Sequence, residues 1–314
     1  MRNRLLLGPV MILMLVLGLL ADQWLDQRAI PPGCRDWLLG VLPTPWAVRD
    51  TWPPGVVLFC IAVTIAVLAS RELAALLRAD GIDASKRMLT TASIVGLLVS
   101  CLVPDSAPGT VAVPVVSTAA LAMLVMSMVF HSRNKTVEGV IASTGGVLLS
   151  FVYLGVMFGF MLAIRREHHA LVLLWVLLTT KSCDIGALFT GKAIGRHKLI
   201  PWLSPGKTWE GLVGGVVTSS AVCAAGMQLV HHWSGTLVPD WWHGAVLGAL
   251  LGLTGQVGDL LESVLKRDAG SKDSGRSIPG YGGILDLIDS PLLTGPVAFW
   301  WLEVASGRGY FQPV

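Results

Sequence analysis

Long apolar stretches recur along the whole sequence, and they constrain its fold more than any other feature. Stretches of about 17 to 25 residues, the length of a membrane-spanning helix, occupy positions 5–21, 55–77, 88–103, 110–130, 139–164, 169–190, 210–231, 243–265 and 284–305. With 53% hydrophobic and only 14% charged residues, the chain has more apolar surface than one soluble core could bury. The sequence therefore predicts an all-α, polytopic integral membrane protein with about nine transmembrane helices.

The domain organisation follows from the same pattern. No internal repeat and no second domain are evident, so we expect a single membrane domain over residues 1–314. Residues 1–165 carry N-terminal transmembrane helices of low specificity, whereas residues 166–314 carry the charged helices and the cytoplasmic loops. The N-terminal segment also has the basic and apolar regions of a secretory signal peptide. No small-x-small cleavage site follows it, which favours a retained anchor.

Basic residues are unevenly distributed between the loops on the two sides of the membrane. If the N-terminus is cytoplasmic, the loops on that side hold most of the lysines and arginines, among them Lys192, Lys207, Lys266 and Lys272. Short cytoplasmic loops carry such an excess. The pattern predicts a multi-pass protein of the cytoplasmic membrane whose charged motif faces the cytoplasm.

That charged motif occupies residues 259–290. Asp286 and Asp289 are three residues apart and would share one face of a helix, and Asp259 and Glu262 repeat the spacing on the preceding helix. Two carboxylate faces in a low-dielectric setting repel strongly unless a cation lies between them. A bound Mg²⁺ would resolve this repulsion.

Cations flank these carboxylates. Lys266, Arg267 and Lys272 stand within a turn or a loop of them and are suited to neutralising triphosphate oxygens. The alternative is a solvated cytoplasmic loop whose ion pairs, such as Glu262 with Lys266, bind no ligand. Gly280, Gly282 and Gly283 allow close approach of the backbone, and their combination with the carboxylates and cations favours phosphoryl chemistry.

A second segment, residues 184–211, precedes the charged motif. Its run Ser204-Pro-Gly-Lys207-Thr208 is predicted to form a turn with backbone donors, two hydroxyls and an ammonium directly before a helix. Such a helix N-terminus suits phosphate. The Gly-x4-Gly-Lys-Ser/Thr pattern of a Walker loop is absent here. Taken alone, the segment also fits an ordinary basic loop at the membrane surface.

These residues resemble the phosphatidate cytidylyltransferases, the CDP-diacylglycerol synthases. The run Ser263-x-Leu-Lys-Arg-x4-Lys-Asp-x-Gly-x2-Ile-Pro-x-Tyr-Gly-Gly-Ile-x-Asp-Leu-Ile-Asp is similar to the long C-terminal motif of that family, and Gln256-Val-Gly-Asp-Leu-Leu-Glu extends the match upstream. The run Ser204-Pro-Gly-Lys-Thr-Trp-Glu-Gly looks like the family's second stretch of similarity. The two matching segments are residues 184–211 and 256–290.

The resemblance implies a membrane enzyme, commonly dimeric, that converts CTP and phosphatidate to CDP-diacylglycerol and pyrophosphate. By this resemblance the ligands of Mg²⁺ are Asp259, Asp286 and Asp289, with a second cation also compatible. The implied catalytic residues are Lys266, Arg267, Lys272 and Asp273. The implied substrate-binding residues are Ser204, Lys207, Thr208, Asp184, Ser263 and Tyr281. Expected partners are CTP, phosphatidate or a related lipid phosphate, membrane lipids and a second copy of the chain, but no nucleic acid.

Two positions depart from the family pattern, which usually has His at Tyr281 and Arg at Leu287. Tyrosine does not titrate near neutral pH, and leucine removes a phosphate-pairing cation. Alternative functions therefore stay open: a CTP-dependent lipid kinase, a synthase-like enzyme for another lipid phosphate, and a non-catalytic membrane relative or transporter. A CDP-alcohol phosphotransferase is disfavoured because its Asp-Gly-x2-Ala-Arg motif is missing.

Overall fold

The computed structural model describes residues 2–31, 33–34, 50–102, 109–133, 137–234, 239–275, 277–278 and 282–309. Within these ranges the chain forms nine helices, counting Val140–Glu167 as one, and a single two-stranded hairpin. The predicted all-α class is confirmed. By its internal contacts the chain divides into two compact units, Met1–Arg166 and Glu167–Val314.

The first unit consists of five helices. They are α1 (Arg2–Asp26), α2 (Val56–Ala79), α3 (Lys86–Leu102), α4 (Gly109–Ser132) and α5 (Val140–Glu167). A π-helical segment, Ser150–Val156, lies inside α5 and packs directly on α3. A Cβ at Gly96 of α3 would lie 2.4 Å from the carbonyl oxygen of Phe151, so the two backbones touch there.

A buried ion pair joins three helices of the first unit. Asp22 of α1 is 1% exposed and accepts hydrogen bonds from the backbone N–H groups of Gly55 (2.9 Å) and Val57 (2.8 Å), so it caps the start of α2. Arg165 of α5 pairs with the same carboxylate, with its Nε 2.7 Å from Oδ2. The charge of Asp22 is therefore compensated although it lies away from water.

The second unit carries the charged motif. Its elements are α6 (Ala170–Ile194), β1 (Lys198–Ile200), β2 (Ser204–Thr208), α7 (Trp209–Ser234), α8 (Trp241–Asp268) and α9 (Leu285–Ser306). The strands pair antiparallel, with Lys198 opposite Thr208. The prediction of a turn at Ser204–Thr208 is thus wrong. This run is a strand that pairs with β1 and leads directly into α7.

Seven helices of the described ranges are long and apolar enough to cross a membrane. They are Gly8–Asp26, Val56–Ala79, Ala112–Ser132, Val140–Glu167, Ala170–Ile194, Trp209–Val230 and Trp241–Asp268. Helix α3, with 17 residues, is only about 25 Å long at 1.5 Å per residue. Helix α9, which carries Asp286, Asp289 and Glu303, is not among the seven. The multi-pass prediction is confirmed, whereas the count of nine spans is not.

Glycines bring α8 into backbone contact with its neighbours. A Cβ at Gly248 would lie 2.4 Å from the carbonyl oxygen of Ser219 in α7, and a Cβ at Gly258 would lie 2.5 Å from the carbonyl oxygen of Asp289 in α9. Small residues allow this close approach of helices in membranes. The contact at Gly258 fixes the start of α9 against the part of α8 that carries Asp259 and Glu262.

Candidate functional site

Eight ionisable side chains of the second unit form one connected group, which we call the charged cluster. Its members come from α6, β2, α8 and α9. They are the carboxylates of Asp184, Asp259, Glu262, Asp286 and Asp289 and the ammonium groups of Lys181, Lys207 and Lys266. The cluster therefore unites the two segments that the sequence singled out separately.

Three of these carboxylates converge. Asp259, Glu262 and Asp289 each offer one oxygen, and these oxygens lie within 4.8 Å of one another. Glu262 has no exposed surface, and within the described part of the chain its buried Oε1 has no hydrogen-bond partner. A buried carboxylate oxygen without a donor is costly unless a cation binds it. Oxygen ligands of this kind suit a hard divalent cation such as Mg²⁺.

Asp286 lies in a different part of the cluster. Its Oδ1 is 2.7 Å from Nζ of Lys266, and its Oδ2 accepts hydrogen bonds from the Gly283 N–H (2.8 Å) and the Ser274 hydroxyl (2.7 Å). Gly282 has a φ of 103°, and a Cβ there would lie 2.6 Å from Oδ2 of Asp286. Asp286 thus anchors the loop between α8 and α9, and its predicted role as a metal ligand stays a prediction. Glu262, which the resemblance did not include among the metal ligands, takes the third place in the convergent set.

Lys266 links the two groups of carboxylates. Its Nζ lies 2.6 Å from Oε2 of Glu262, one turn back on α8, and 2.7 Å from Oδ1 of Asp286 on α9. The i,i+4 pair with Glu262 was expected from the sequence, whereas the bond across to α9 requires the tertiary fold. Lys266 therefore binds Oε2 of Glu262 and leaves Oε1 of the same carboxylate available for another ligand.

Lys207 reaches the cluster from β2. Its Nζ lies 2.7 Å from Oδ2 of Asp259 and donates to Oε1 of Gln256 at 2.8 Å. The side-chain amide of Gln256 in turn donates to Oδ1 of Asp184 at 2.9 Å. Gln256 is 6% exposed and was not among the predicted site residues, although its position three residues before Asp259 places both on one face of α8.

The formal charges of the cluster do not balance. Five carboxylates face three ammonium groups, which leaves two negative charges if all are ionised. Interactions between charges are several-fold stronger near a low-dielectric interior than in bulk water. One divalent cation would neutralise the excess, and the convergent oxygens of Asp259, Glu262 and Asp289 would provide its ligands.

Three of the remaining predicted residues have structural partners. Thr208 is buried, and its hydroxyl accepts the N–H of Gly211 at 3.1 Å, so it caps the start of α7. Arg267 donates to the carbonyl oxygens of Leu203 and Ser271, both at 3.2 Å, and so ties the hairpin to the end of α8. Asp273 accepts the Ser271 hydroxyl with its backbone carbonyl oxygen at 2.8 Å.

The other predicted residues differ in exposure. Lys272 and Asp273 are exposed in the loop after α8, where they are accessible to a ligand from water. Ser204 is half-buried at the start of β2, and Ser263 is buried on α8 next to Glu262. Tyr281 lies outside the described residues.

The fold and the site together define the class of this protein: a multi-pass membrane protein with a cluster of carboxylates and lysines between helices that are long enough to span a bilayer. Comparison of sequences identifies the family within that class. The sequence model of the Cytidylyltransferase family matches residues 40–305. The chain belongs to this family, and the resemblance inferred from its motifs is confirmed.

Three individual proteins show this similarity, and two of them are named phosphatidate cytidylyltransferases. The chain is 33% identical to the phosphatidate cytidylyltransferase of Staphylococcus aureus (strain COL) over 245 residues, which are 77% of this chain and 88% of that protein. It is 37% identical to the phosphatidate cytidylyltransferase of Bacillus subtilis (strain 168) over 164 residues, 52% of this chain and 59% of that protein. It is 42% identical to the uncharacterized protein YnbB of Escherichia coli (strain K12) over 135 residues, 43% of each chain.

Proposed function

We propose that this protein is a phosphatidate cytidylyltransferase, which converts CTP and phosphatidate to CDP-diacylglycerol and pyrophosphate. The observation that carries the proposal is the convergence of Asp259, Glu262 and Asp289 beside three lysines. The similarity to the Staphylococcus aureus phosphatidate cytidylyltransferase covers 77% of the chain and supports the choice of substrates. A site for two polyanionic reactants needs both the cations and a means to hold a metal.

In this reaction an oxygen of the lipid phosphate forms a bond to the α-phosphorus of CTP. The bond between that phosphorus and the oxygen bridging to the β-phosphorus breaks, and pyrophosphate leaves with the electron pair. No covalent intermediate with the protein is required. The protein positions the reactants and neutralises charge, which is the main contribution of enzymes to phosphoryl transfer.

Each part of the cluster has a role in this proposal. Asp259, Glu262 and Asp289 would hold Mg²⁺, which when bound supplies positive charge to the triphosphate oxygens. Lys207 orients Asp259, and Lys266 orients Glu262 and Asp286, because each ammonium is within 2.7 Å of the carboxylate that it holds. Lys272 is exposed beside the site and is suited to bind a phosphate group of either substrate.

The location of the site is also part of the proposal. The bacterial relatives and the apolar helices place the protein in the cell membrane as a multi-pass protein. CTP is a cytoplasmic solute, and the excess of basic residues in the loops beside the site favours the cytoplasmic side. We propose that the site opens to the cytoplasm and that the protein acts as a homodimer, which light scattering of the purified protein would test.

The decisive experiment follows two radiolabels of CTP. Purified protein would be incubated with Mg²⁺, phosphatidate and CTP labelled on either the α- or the γ-phosphate. We expect the α-label in the lipid product and the γ-label in pyrophosphate. A γ-label in the lipid would show a kinase instead, and absence of both labels from a panel of lipid phosphates would show a non-catalytic relative.

A matched pair of variants makes this assay specific to the site. Asp289→Asn removes a charge from the convergent carboxylates, whereas Asp268→Asn removes a charge from an exposed position at the end of α8. We expect loss of product with the first variant and normal product with the second. Equal activity of the two variants would contradict the assignment of the site.

A further inference from the structure

Gln256 is a buried neutral side chain that connects three elements of the second unit. It lies on α8, where it is 6% exposed. Lys207 of β2 donates to its Oε1 at 2.8 Å, and its Nε2 donates to Oδ1 of Asp184 on α6 at 2.9 Å. Polar side chains of membrane-spanning helices form such hydrogen bonds to neighbouring elements. Gln256 therefore links the hairpin to α6 across the surface of α8.

The two partners of Gln256 allow only one orientation of its amide. An ammonium donates hydrogen bonds and accepts none, whereas an ionised carboxylate accepts and donates none. Rotation of the amide by 180° would place Nε2 against Lys207 and Oε1 against Asp184. Because Gln256 is buried, water would not compensate for these two lost bonds. Asp184 thus fixes the direction in which the amide oxygen points.

Lys207 depends on this oxygen for its position. Its Nζ lies 2.7 Å from Oδ2 of Asp259, 2.8 Å from Oε1 of Gln256 and 3.5 Å from the backbone carbonyl oxygen of Gln256. An ammonium is a compact charge on a flexible stem. One ion pair sets its distance from a carboxylate but not its place around that carboxylate. The bond to Oε1 removes this freedom.

We propose that Gln256 is a positioning residue of the transferase reaction: its amide, oriented by Asp184, holds the ammonium of Lys207 in its place beside Asp259. The proposal rests on the proposed function, because Lys207 and Asp259 belong to the site of that reaction. Gln256 acts through Lys207 and carries no charge of its own. This neutrality is the reason that the charge pattern of the sequence did not indicate it.

The first test is a double-mutant cycle in the purified full-length protein. Gln256→Met keeps the length of the side chain and removes both hydrogen bonds, and it would be combined with Lys207→Met. We expect Gln256→Met to lower kcat/KM by at least about tenfold, since a hydrogen bond to a charged group is worth this much or more. In the Lys207→Met background we expect a further loss of less than about twofold, because residues that act through one another are not additive.

Two comparisons separate this role from a purely structural one. Thr254→Val removes a hydroxyl that bonds the carbonyl oxygen of Leu250 within α8, and we expect normal kcat/KM from this control. Gln256→Met and Lys207→Met should also change kcat and KM in the same proportion to each other. A general loss of packing around α8 would lower kcat/KM equally in the wild-type and Lys207→Met backgrounds.

The second test concerns the direction of the amide and needs no substrate. Gln256→Glu keeps an oxygen for Lys207 but places a carboxylate against Asp184, so we expect a lower unfolding temperature. Adding Asp184→Asn supplies a side-chain amide nitrogen at position 184 that donates to the new carboxylate. We therefore expect the double variant Gln256→Glu/Asp184→Asn to regain most of the loss in unfolding temperature.

The outcomes separate this inference from the function itself. If wild type forms no nucleotide-lipid, the proposed function fails, and the same cycle measured on free energies of unfolding still decides whether Gln256 holds Lys207. If wild type is active and the effects of Gln256→Met and Lys207→Met are additive, the positioning role is overturned. A double variant no more stable than Gln256→Glu would overturn the assigned direction of the amide. If Gln256→Met does not fold, Gln256→Asn, which is one methylene shorter, takes its place in the cycle.

Discussion

Lys207 and Asp259 form an ion pair of 2.7 Å that joins the β-hairpin to helix α8. The lysine is 16% exposed and the aspartate is 32% exposed, so water reaches this edge of the cluster but does not surround it. Because the pair orients one of the three convergent carboxylates, the hairpin contributes to the site and is more than a connection between α6 and α7.

Lys207→Met should lower kcat/KM without preventing membrane insertion. Breaking one side of a partly buried ion pair costs about 2 kcal/mol or more, which corresponds to at least about a thirtyfold loss. Steady-state rates across CTP and phosphatidate concentrations would measure it. Lys198→Met, which removes an exposed lysine from the paired strand, is the matched control. A rate unchanged by Lys207→Met would show that the hairpin is an ordinary basic loop with no role in the site.

Glu262→Gln should weaken metal binding while it keeps the shape of the side chain. The substitution removes one negative charge from the convergent oxygens, and the lost charge-assisted contact predicts at least about a tenfold weaker affinity. Binding of Mn²⁺, followed by electron paramagnetic resonance of the purified protein, would measure this directly. An affinity equal to that of wild type would exclude Glu262 as a ligand and leave its buried Oε1 unexplained.

Asp286→Asn should abolish turnover with a smaller loss of metal affinity than Glu262→Gln. The carboxylate of Asp286 is held by Lys266, Gly283 and Ser274, so its loss disturbs the loop between α8 and α9 and the position of Lys266. The same Mn²⁺ titration, together with the α-label assay, distinguishes the two roles. If Asp286→Asn weakens Mn²⁺ binding as much as Glu262→Gln does, Asp286 binds the metal as the sequence predicted.

Leu287→Arg should be tolerated or should improve the use of CTP. Leu287 is half-buried next to Asp286, where an added cation would lie beside the negatively charged reactants. A charge-assisted contact to phosphate is worth about 1.5–3 kcal/mol, which a change in KM for CTP would reveal. Loss of activity in the variant, together with poor use of phosphatidate beside another lipid phosphate, would show that the site accepts a different lipid.

Acid should destabilise the second unit through His168, which precedes α6 and is 5% exposed. Burial lowers its pKa to about 4, and the charge of Glu303 opposes this shift only in part. The unfolded chain binds a proton below about pH 6.5, so stability is full above that pH and falls by about 1.4 kcal/mol per pH unit toward pH 4. Unfolding midpoints of wild type and His168→Gln at about pH 7 and pH 5 would measure it. An equal drop in both proteins would contradict the assignment.

The sequence predicted the helices well because their signal is local. The apolar stretches at 169–190 and 243–265 correspond to Ala170–Ile194 and Trp241–Asp268. The sequence could not predict β1 pairing with β2, because a strand of three residues has no periodicity to detect. It also could not show which loop cation would reach which carboxylate, since those contacts depend on how the helices pack.

The ligand set shows the same limit. Asp259 with Glu262, and Asp286 with Asp289, each have the spacing of two residues on one helix face, so the sequence offered four candidates for one metal. The structure brings Asp259, Glu262 and Asp289 together, whereas Asp286 contacts Lys266 and the loop before α9. This arrangement depends on how α8 and α9 pack, with their backbones in contact at Gly258, which a pattern of charges does not reveal.

Gly258 also reverses a common rule of protein engineering. Replacement of a helical glycine by alanine ordinarily stabilises a helix by about 1 kcal/mol, and it is therefore an obvious choice when a membrane protein must be made robust enough for crystallisation. At Gly258 the new methyl group would lie 2.5 Å from the carbonyl oxygen of Asp289 and would force the two helices apart. A library of thermostabilised variants selected for yield alone would thus enrich substitutions on the lipid-facing side of α8 and lose those on its glycine face.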